Sequence, residues 1–227
     1  NSLEGCVYWK SLNRNRNIKF ISNGVPYDLI GRSIVVDNNN TLTIGDDYIL
    51  YVGRLIGSGS ANKNITKLIL ACDLVFENIK NLKLIIVGQG NDLENLKSLV
   101  KDLNLDSHIF FLGYLETKLV YKLMSNASLF ISLSGFEGMP NSVLEAMYCS
   151  KRILLSNINE HKALFKHPDA DDFTDIDKVD VIAKRILEKL NSKSKIDYYK
   201  SNTIDFSMDR MVENYENLYL KVTQINL

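Results

Sequence analysis

The feature that most constrains this chain is a regular alternation of short, wholly apolar runs with segments whose apolar residues recur at helical spacing. The apolar runs are Tyr48–Val52 and residues 82–87, 109–112, 129–133 and 152–155. Between them, Ile65, Leu68, Ile69, Cys72 and Phe76 line one face of residues 63–79, and Leu93, Leu96 and Val100 line one face of residues 93–103. Residues 118–125 and 141–148 read as further helices. Strands that are apolar throughout are buried on both faces, as in a parallel sheet covered by helices. Strand–helix alternation with short connections predicts right-handed crossovers and an α/β fold, a doubly wound parallel sheet of Rossmann-like type.

The ends differ from this rhythm. Residues 13–17 alternate Asn and Arg, residues 18–22 predict a short strand, Asn23-Gly24 is a turn signal, and residues 37–40 have linker character. From Lys178 onward the text is helical with a break at residues 191–195, and Met211, Tyr215, Leu218 and Val222 form one apolar stripe on a final helix. A length of 227 residues is one large domain or one domain with attachments.

Lys plus Arg (27) equals Asp plus Glu (27), so no global positive field draws in nucleic acid and an anion must be met by a local site. Three cysteines and three histidines at no ligand-like spacing exclude a zinc site, and Cys72 and Cys149 read as small buried hydrophobes of a reducing compartment. The apolar runs are far shorter than the ~20 residues that span a bilayer. No secretion signal pattern opens the chain, and the expectation is a cytoplasmic protein.

In an open parallel sheet, ligands bind where strands deliver their carboxyl ends. Four such junctions carry unusual residues. Gly53-Arg54 is followed by a loop and by Lys63, predicted in the first helical turn, where a cation opposes the helix dipole unless an anion is bound. Gly88-Gln89-Gly90 lets backbone approach a ligand, although the third glycine of a dinucleotide fingerprint is absent. Phe111-Leu112-Gly113 leads to Tyr114 and Leu115. The fourth junction spans residues 134–145, in which Pro140 starts a helix, and the amides of Asn141, Ser142 and Val143 are predicted to be free donors beside Gly138 and Met139. Glu145, one turn beyond Asn141, is placed to accept two bonds from a vicinal diol. Taken singly, each junction also fits an ordinary turn or a solvated charge.

Together they resemble something specific. Glu137 and Glu145, in the phrase Glu-Gly-Met-Pro-Asn-Ser-Val-Leu-Glu-Ala-Met, resemble the E-x7-E motif of the retaining GT-B glycosyltransferases, family 4 above all. Asn23-Gly24-Val25, Tyr51–Leu55 in sequence with Lys63-Asn64, Val87–Gly90 and Phe111–Gly113 resemble that family's other segments, in the same order. The resemblance covers residues 18–165. It implies that Arg54 and Lys63 grip the diphosphate of a UDP- or GDP-sugar, assisted by Gly53, Gly88, Gly90 and the amides after Pro140. Glu145 is implied to bind the ribose, Glu137 the hydroxyls of the transferred sugar, and Tyr114 and Leu115 to border the base. It further implies that the donor is the only small molecule required, with no cofactor and no metal.

On the same resemblance, residues 1–40 are the tail of an N-terminal lobe with its linker, residues 41–205 the donor-binding domain, and residues 206–227 a helix that crosses to that lobe. The acceptor, a glycan or a lipid-linked one, is expected on the N-terminal lobe. The complete enzyme is expected to associate peripherally with the inner face of a membrane, and this chain alone to turn over weakly or not at all. Two departures from the family are a longer spacing between Arg54 and Lys63, and an acidic stretch at residues 167–173. The competing readings are a non-catalytic sugar-nucleotide-binding subunit, a sugar-nucleotide epimerase and an inactive remnant.

Overall fold

The structure is a computed structural model that describes residues 3–12, 18–35, 47–57 and 62–225. Six parallel strands form one sheet: β1 (Tyr48–Val52), β2 (Lys83–Val87), β3 (Ile109–Gly113), β4 (Leu129–Ser132), β5 (Ile153–Ser156) and β6 (Phe173–Thr174), in the order β3-β2-β1-β4-β5-β6. The helices are α1 (Leu3–Leu12), α2 (Tyr27–Val35), α3 (Ile65–Asn78), α4 (Leu93–Asp102), α5 (Thr117–Asn126), α6 (Asn141–Cys149), α7 (Asn159–Lys162), α8 (Val179–Leu190), α9 (Ile196–Thr203) and α10 (Met208–Ile225). This is the doubly wound α/β fold that the alternation predicts.

The apolar runs are continuous because each strand faces a core on both sides. Leu50, Ile85, Phe130 and Ile153 pack with α2, α5, α6 and α9. Their neighbours Ile49, Tyr51, Leu84, Ile86, Leu129, Ile131 and Leu154 pack with α3, α4 and α8. In register, Leu50 pairs with Ile85 on one side and Phe130 on the other. Cys72 and Cys149 are buried free thiols, as expected, and burial pushes the Cys149 thiol up to about 12.

Some expectations do not survive. Residues 18–22 form no strand, since among the described residues no strand pairs with them; Val25 makes an isolated bridge to Ser207. Lys63 is not in the first turn of α3, which starts at Ile65 and is entered through Asn64 in a left-handed conformation (φ 52°). The acidic stretch closes in a short turn, Ala170–Asp172, and then adds the two-residue edge strand β6 beside β5. Asp172 is fully buried there against Lys189 and accepts from Tyr199 Oη at 2.8 Å. The alternating Asn/Arg segment and the polar run at residues 37–40 lie outside the described residues.

Helix α10 is tied down over its first two turns, where Lys19 Nζ also donates to Asn214 Oδ1 at 3.3 Å. Met208 donates to the Val25 carbonyl at 3.1 Å, and Gly24 donates to Met211 Sδ at 3.1 Å. Beyond that, Val212, Tyr215, Tyr219, Leu220 and Val222 are exposed. No described helix is long and apolar enough to cross a membrane.

Candidate functional site

A sheet ordered 3-2-1-4-5-6 reverses direction between β1 and β4, and the crevice beyond the carboxyl ends of those strands is where such folds take ligands. Here the first and fourth junctions meet. Gly135 donates its amide to Asn62 O at 3.0 Å, and Asn64 Nδ2 donates to Leu133 O at 2.7 Å. Asn is one of the few residues that adopt this left-handed backbone readily, and the turn is held by Asn64 N, which donates to Asn62 Oδ1 at 2.7 Å. The loop ahead of α3 is thereby stitched to the loop after β4. Lys63, 9% exposed, is directed at Glu137, its Nζ 2.5 Å from Oε1.

Glu137 Oε1 also accepts from Ser134 Oγ at 2.6 Å, while its Oε2 has no partner among the described residues. Lys63 has three donors and spends one of them on Glu137, which leaves two for another anion. Arg54 is exposed, and its guanidinium has no ion-pair partner among the described residues. Its backbone is fixed by Tyr51 Oη, which donates to the Arg54 carbonyl at 3.0 Å. Burial pushes the Tyr51 phenol up, Glu137 pushes it further and Arg54 pulls it down. One phenol thus feels both charges and ties the Arg54 backbone to the end of β1.

Gly88 and Gly90 serve the framework. A Cβ on Gly88 (φ +139°) would fall 1.9 Å from the Gly53 carbonyl, and one on Gly90 2.0 Å from the Leu55 carbonyl. Leu55 also donates to the Gln89 carbonyl at 2.9 Å, so the loops after β1 and β2 touch backbone to backbone. At the next strand end, Tyr114 is 76% exposed, whereas Leu115 packs on the core.

The helix start after Pro140 is less open than its sequence predicts. Pro140 is the residue before the first helical one. The chain folds back there, so Asn141 N donates to Met139 O at 2.9 Å and Val143 N to Pro140 O at 3.0 Å. Ser142 keeps its amide without a partner among the described residues. The Val143 side chain is fully buried. Gly138, Met139 and Pro140 wall a groove of about 530 Å³, with Val7, Phe20 and Leu164 opposite, so the loop is open from that side.

Glu145 sits one turn along α6, half-buried, with Tyr121 Oη 3.4 Å from its Oε1. Burial pushes its carboxyl up to about 7, the tyrosine's hydrogen bond working the other way. Its other neighbour is Tyr27 of α2, whose phenol is raised first by burial and further by the Glu145 charge. Asn23 Nδ2 donates to Asn141 Oδ1 at 3.3 Å, which brings the Asn23-Gly24 turn to the mouth of the same helix.

The sequence reading missed the side chains that hold these groups: Tyr51, Tyr121 and Tyr27, and the buried set Ser134, Ser156 and His161. Ser134 lies within the singled-out fourth junction. Tyr51 lies in the singled-out segment at residues 51–55, whereas Tyr121, Tyr27, Ser156 and His161 reach the site from segments that carry no motif.

Comparison with known proteins gives the lineage. The family described as "Glycosyl transferases group 1" matches residues 37–206. The chain is 30% identical over 149 residues to a Campylobacter jejuni N-acetylgalactosamine-N,N'-diacetylbacillosaminyl-diphospho-undecaprenol 4-alpha-N-acetylgalactosaminyltransferase, covering 65% of this chain and 36% of that protein. It is 24% identical over 216 residues to the Escherichia coli UDP-Gal:alpha-D-GlcNAc-diphosphoundecaprenol alpha-1,3-galactosyltransferase, covering 85% and 55%. Its fold superposes on a Staphylococcus aureus TarM mutant solved with fondaparinux, alpha-GlcNAc-glycerol and UDP, with a TM-score of 0.74 at 21% identity, covering 96% of this chain and 42% of that one. The chain thus spans between about a third and just over half of these proteins. With a six-stranded parallel sheet of GT-B type and a family match over most of its length, the chain belongs to the glycosyl transferases group 1 family.

Proposed function

We propose that this chain is the donor-binding part of a retaining glycosyltransferase that moves a sugar from a nucleoside-diphosphate sugar to a glycan or lipid-linked acceptor. The single observation that carries the reading is the Lys63–Glu137 pair at the sheet's switch point, with the exposed Arg54 just beyond the end of β1. The guanidinium of Arg54, the two remaining donors of Lys63 and the amide of Ser142 face a diphosphate. Breaking the bond from the anomeric carbon to the diphosphate oxygen builds charge on the leaving group, and donors fixed beforehand stabilise that charge as it forms. Glu137 accepts hydroxyls of the transferred sugar through Oε2, with Lys63 between its charge and the diphosphate. Glu145 takes the ribose diol, and Tyr114 borders the base.

UDP is the favoured base carrier, since TarM is described with UDP and the Escherichia coli relative uses UDP-galactose. Both undecaprenol-linked acceptors named for the relatives point to surface polysaccharide or glycolipid assembly. The acceptor falls to a second lobe, for which the exposed face of α10 offers a seat, with the complete enzyme peripheral to the membrane. Residues 41–205 hold the donor in this account. The named relatives are transferases, which supports that class over an epimerase or a binding-only subunit.

Calorimetry with UDP- and GDP-sugars tests the reading. Saturable heat with at least one of them is expected, weakened about tenfold or more in Arg54→Ala, in line with ~1.5–3 kcal/mol for a charge-assisted contact. No saturable heat with any of them overturns it.

A further inference from the structure

Glu137 is held by a chain of hydrogen bonds that runs back to a histidine in the core. Its Oε1 accepts from Ser134 Oγ at 2.6 Å, and the Ser134 carbonyl accepts from Ser156 Oγ at 2.6 Å. Ser156 Oγ and the Ser156 carbonyl each lie 3.1 Å from His161 Nδ1. Ser134, Ser156 and His161 are all buried, the last two completely.

Proton bookkeeping assigns every direction. Ser156 Oγ has one proton, and the Ser134 carbonyl, which can only accept, takes it. Both Ser156 atoms beside the imidazole must then accept, so Nδ1 carries the ring proton and Nε2 is bare. Nε2 is buried without a hydrogen-bond partner among the described residues. Burial holds the ring neutral, its pKa pulled down to about 4, and the charges acting on it are Glu137 and Lys63. The imidazole therefore sits within electrostatic reach of the pair at the switch point, although it lies in α7, beyond β5.

We propose that His161 is a positioning residue for Glu137, acting through Ser156 and Ser134 without touching the donor. The Nδ1–H orients the Ser156 hydroxyl, that hydroxyl anchors the Ser134 backbone at the end of β4, and Ser134 Oγ sets the Glu137 carboxylate against Lys63. The end of β5 thereby fixes a loop of β4. The inference rests on the reading that Glu137 holds the transferred sugar.

Two variants and two readouts test it. His161→Leu removes the donor and keeps bulk, and His161→Asn keeps a donor near the place of Nδ1. The first readout needs no ligand: the NMR signal of the Lys63 ammonium, slowed in exchange by its bond to Glu137. It is expected in the parent and in His161→Asn and lost in His161→Leu; an unchanged signal in His161→Leu overturns the proposal. The second is calorimetry. His161→Leu is expected to weaken a sugar nucleotide about tenfold while the matching nucleoside diphosphate changes less than about twofold, with His161→Asn near the parent. Equal weakening of both ligands makes the histidine a framework residue only and overturns the proposal. A parent that binds no sugar nucleotide sinks the proposed function, and the Lys63 signal then decides on His161 alone. Should His161→Leu not fold, Ser156→Ala breaks the same chain one link later and is expected to give the same pattern.

Discussion

Lys63 Nζ lies 2.5 Å from Glu137 Oε1, across 74 residues of sequence, and the side chains are only 10% and 17% exposed. Neither residue is free, and each is the other's partner. Partly buried partners of this kind are coupled. A double-mutant cycle with Lys63→Met and Glu137→Gln, read by urea unfolding, is expected to give a coupling of about 1–3 kcal/mol. Strict additivity contradicts the pairing.

Arg54 makes the opposite case. Its guanidinium has no ion-pair partner among the described residues, so Arg54→Ala is expected to leave the melting temperature within about 1–2 °C while weakening nucleoside-diphosphate binding about tenfold or more. A large drop in melting temperature, or binding unchanged, removes Arg54 from the diphosphate.

Glu145 gives a pH signature. Its carboxyl sits near 7 in the fold against a usual 4.5, because burial disfavours the charge. A ribose diol donates to the ionised form, so sugar-nucleotide affinity is expected to rise about tenfold between roughly pH 6 and pH 8. In Glu145→Gln that slope disappears. Stability runs the other way: a raised pKa contributes stability that is full below about 4.5 and is lost as pH rises through about 7. Glu145→Gln is therefore expected to be more stable than the parent at about pH 8, by roughly 1–2 kcal/mol, with the advantage shrinking toward about pH 5. Urea unfolding across that range checks it.

The Lys189–Asp172 pair is a framework contact at the far edge of the sheet. Lys189→Met leaves Asp172, fully buried, with Tyr199 and the more distant Lys195 at 3.6 Å. A loss of about 3 kcal/mol is expected in urea unfolding, with nucleotide affinity of the folded protein unchanged. Altered affinity would tie this edge to the site.

Helices α3 to α6 are legible because each buries an apolar set at helical spacing, and strands β1 to β5 because each is a short apolar run buried on both faces. Residues 18–22 carry the same local signal but have no partner strand among the described residues, and β6 is two residues long, too short to have a period. The glycines at 88 and 90 read as approach points for a ligand; that carbonyls of the neighbouring loop lie where their Cβ atoms would stand is a second need for glycine, one that only the fold reveals. The free amides predicted after Pro140 depend on the fold-back at Met139, which no residue type announces. Ser134 reaches Glu137 within its own loop, but Lys63, Tyr121 and Tyr27 come from other elements, and only the fold brings them to Glu137 and Glu145.

The most direct measurement is backbone amide mapping of the isotope-labelled chain during titration with UDP. Shifts concentrated at Gly53, Arg54, Lys63, Tyr114 and residues 135–145, around the crevice between β1 and β4, are the predicted result. Shifts that leave those residues still, or that gather at the β6 edge around Lys189 and Lys195, would contradict a nucleotide site at the switch point.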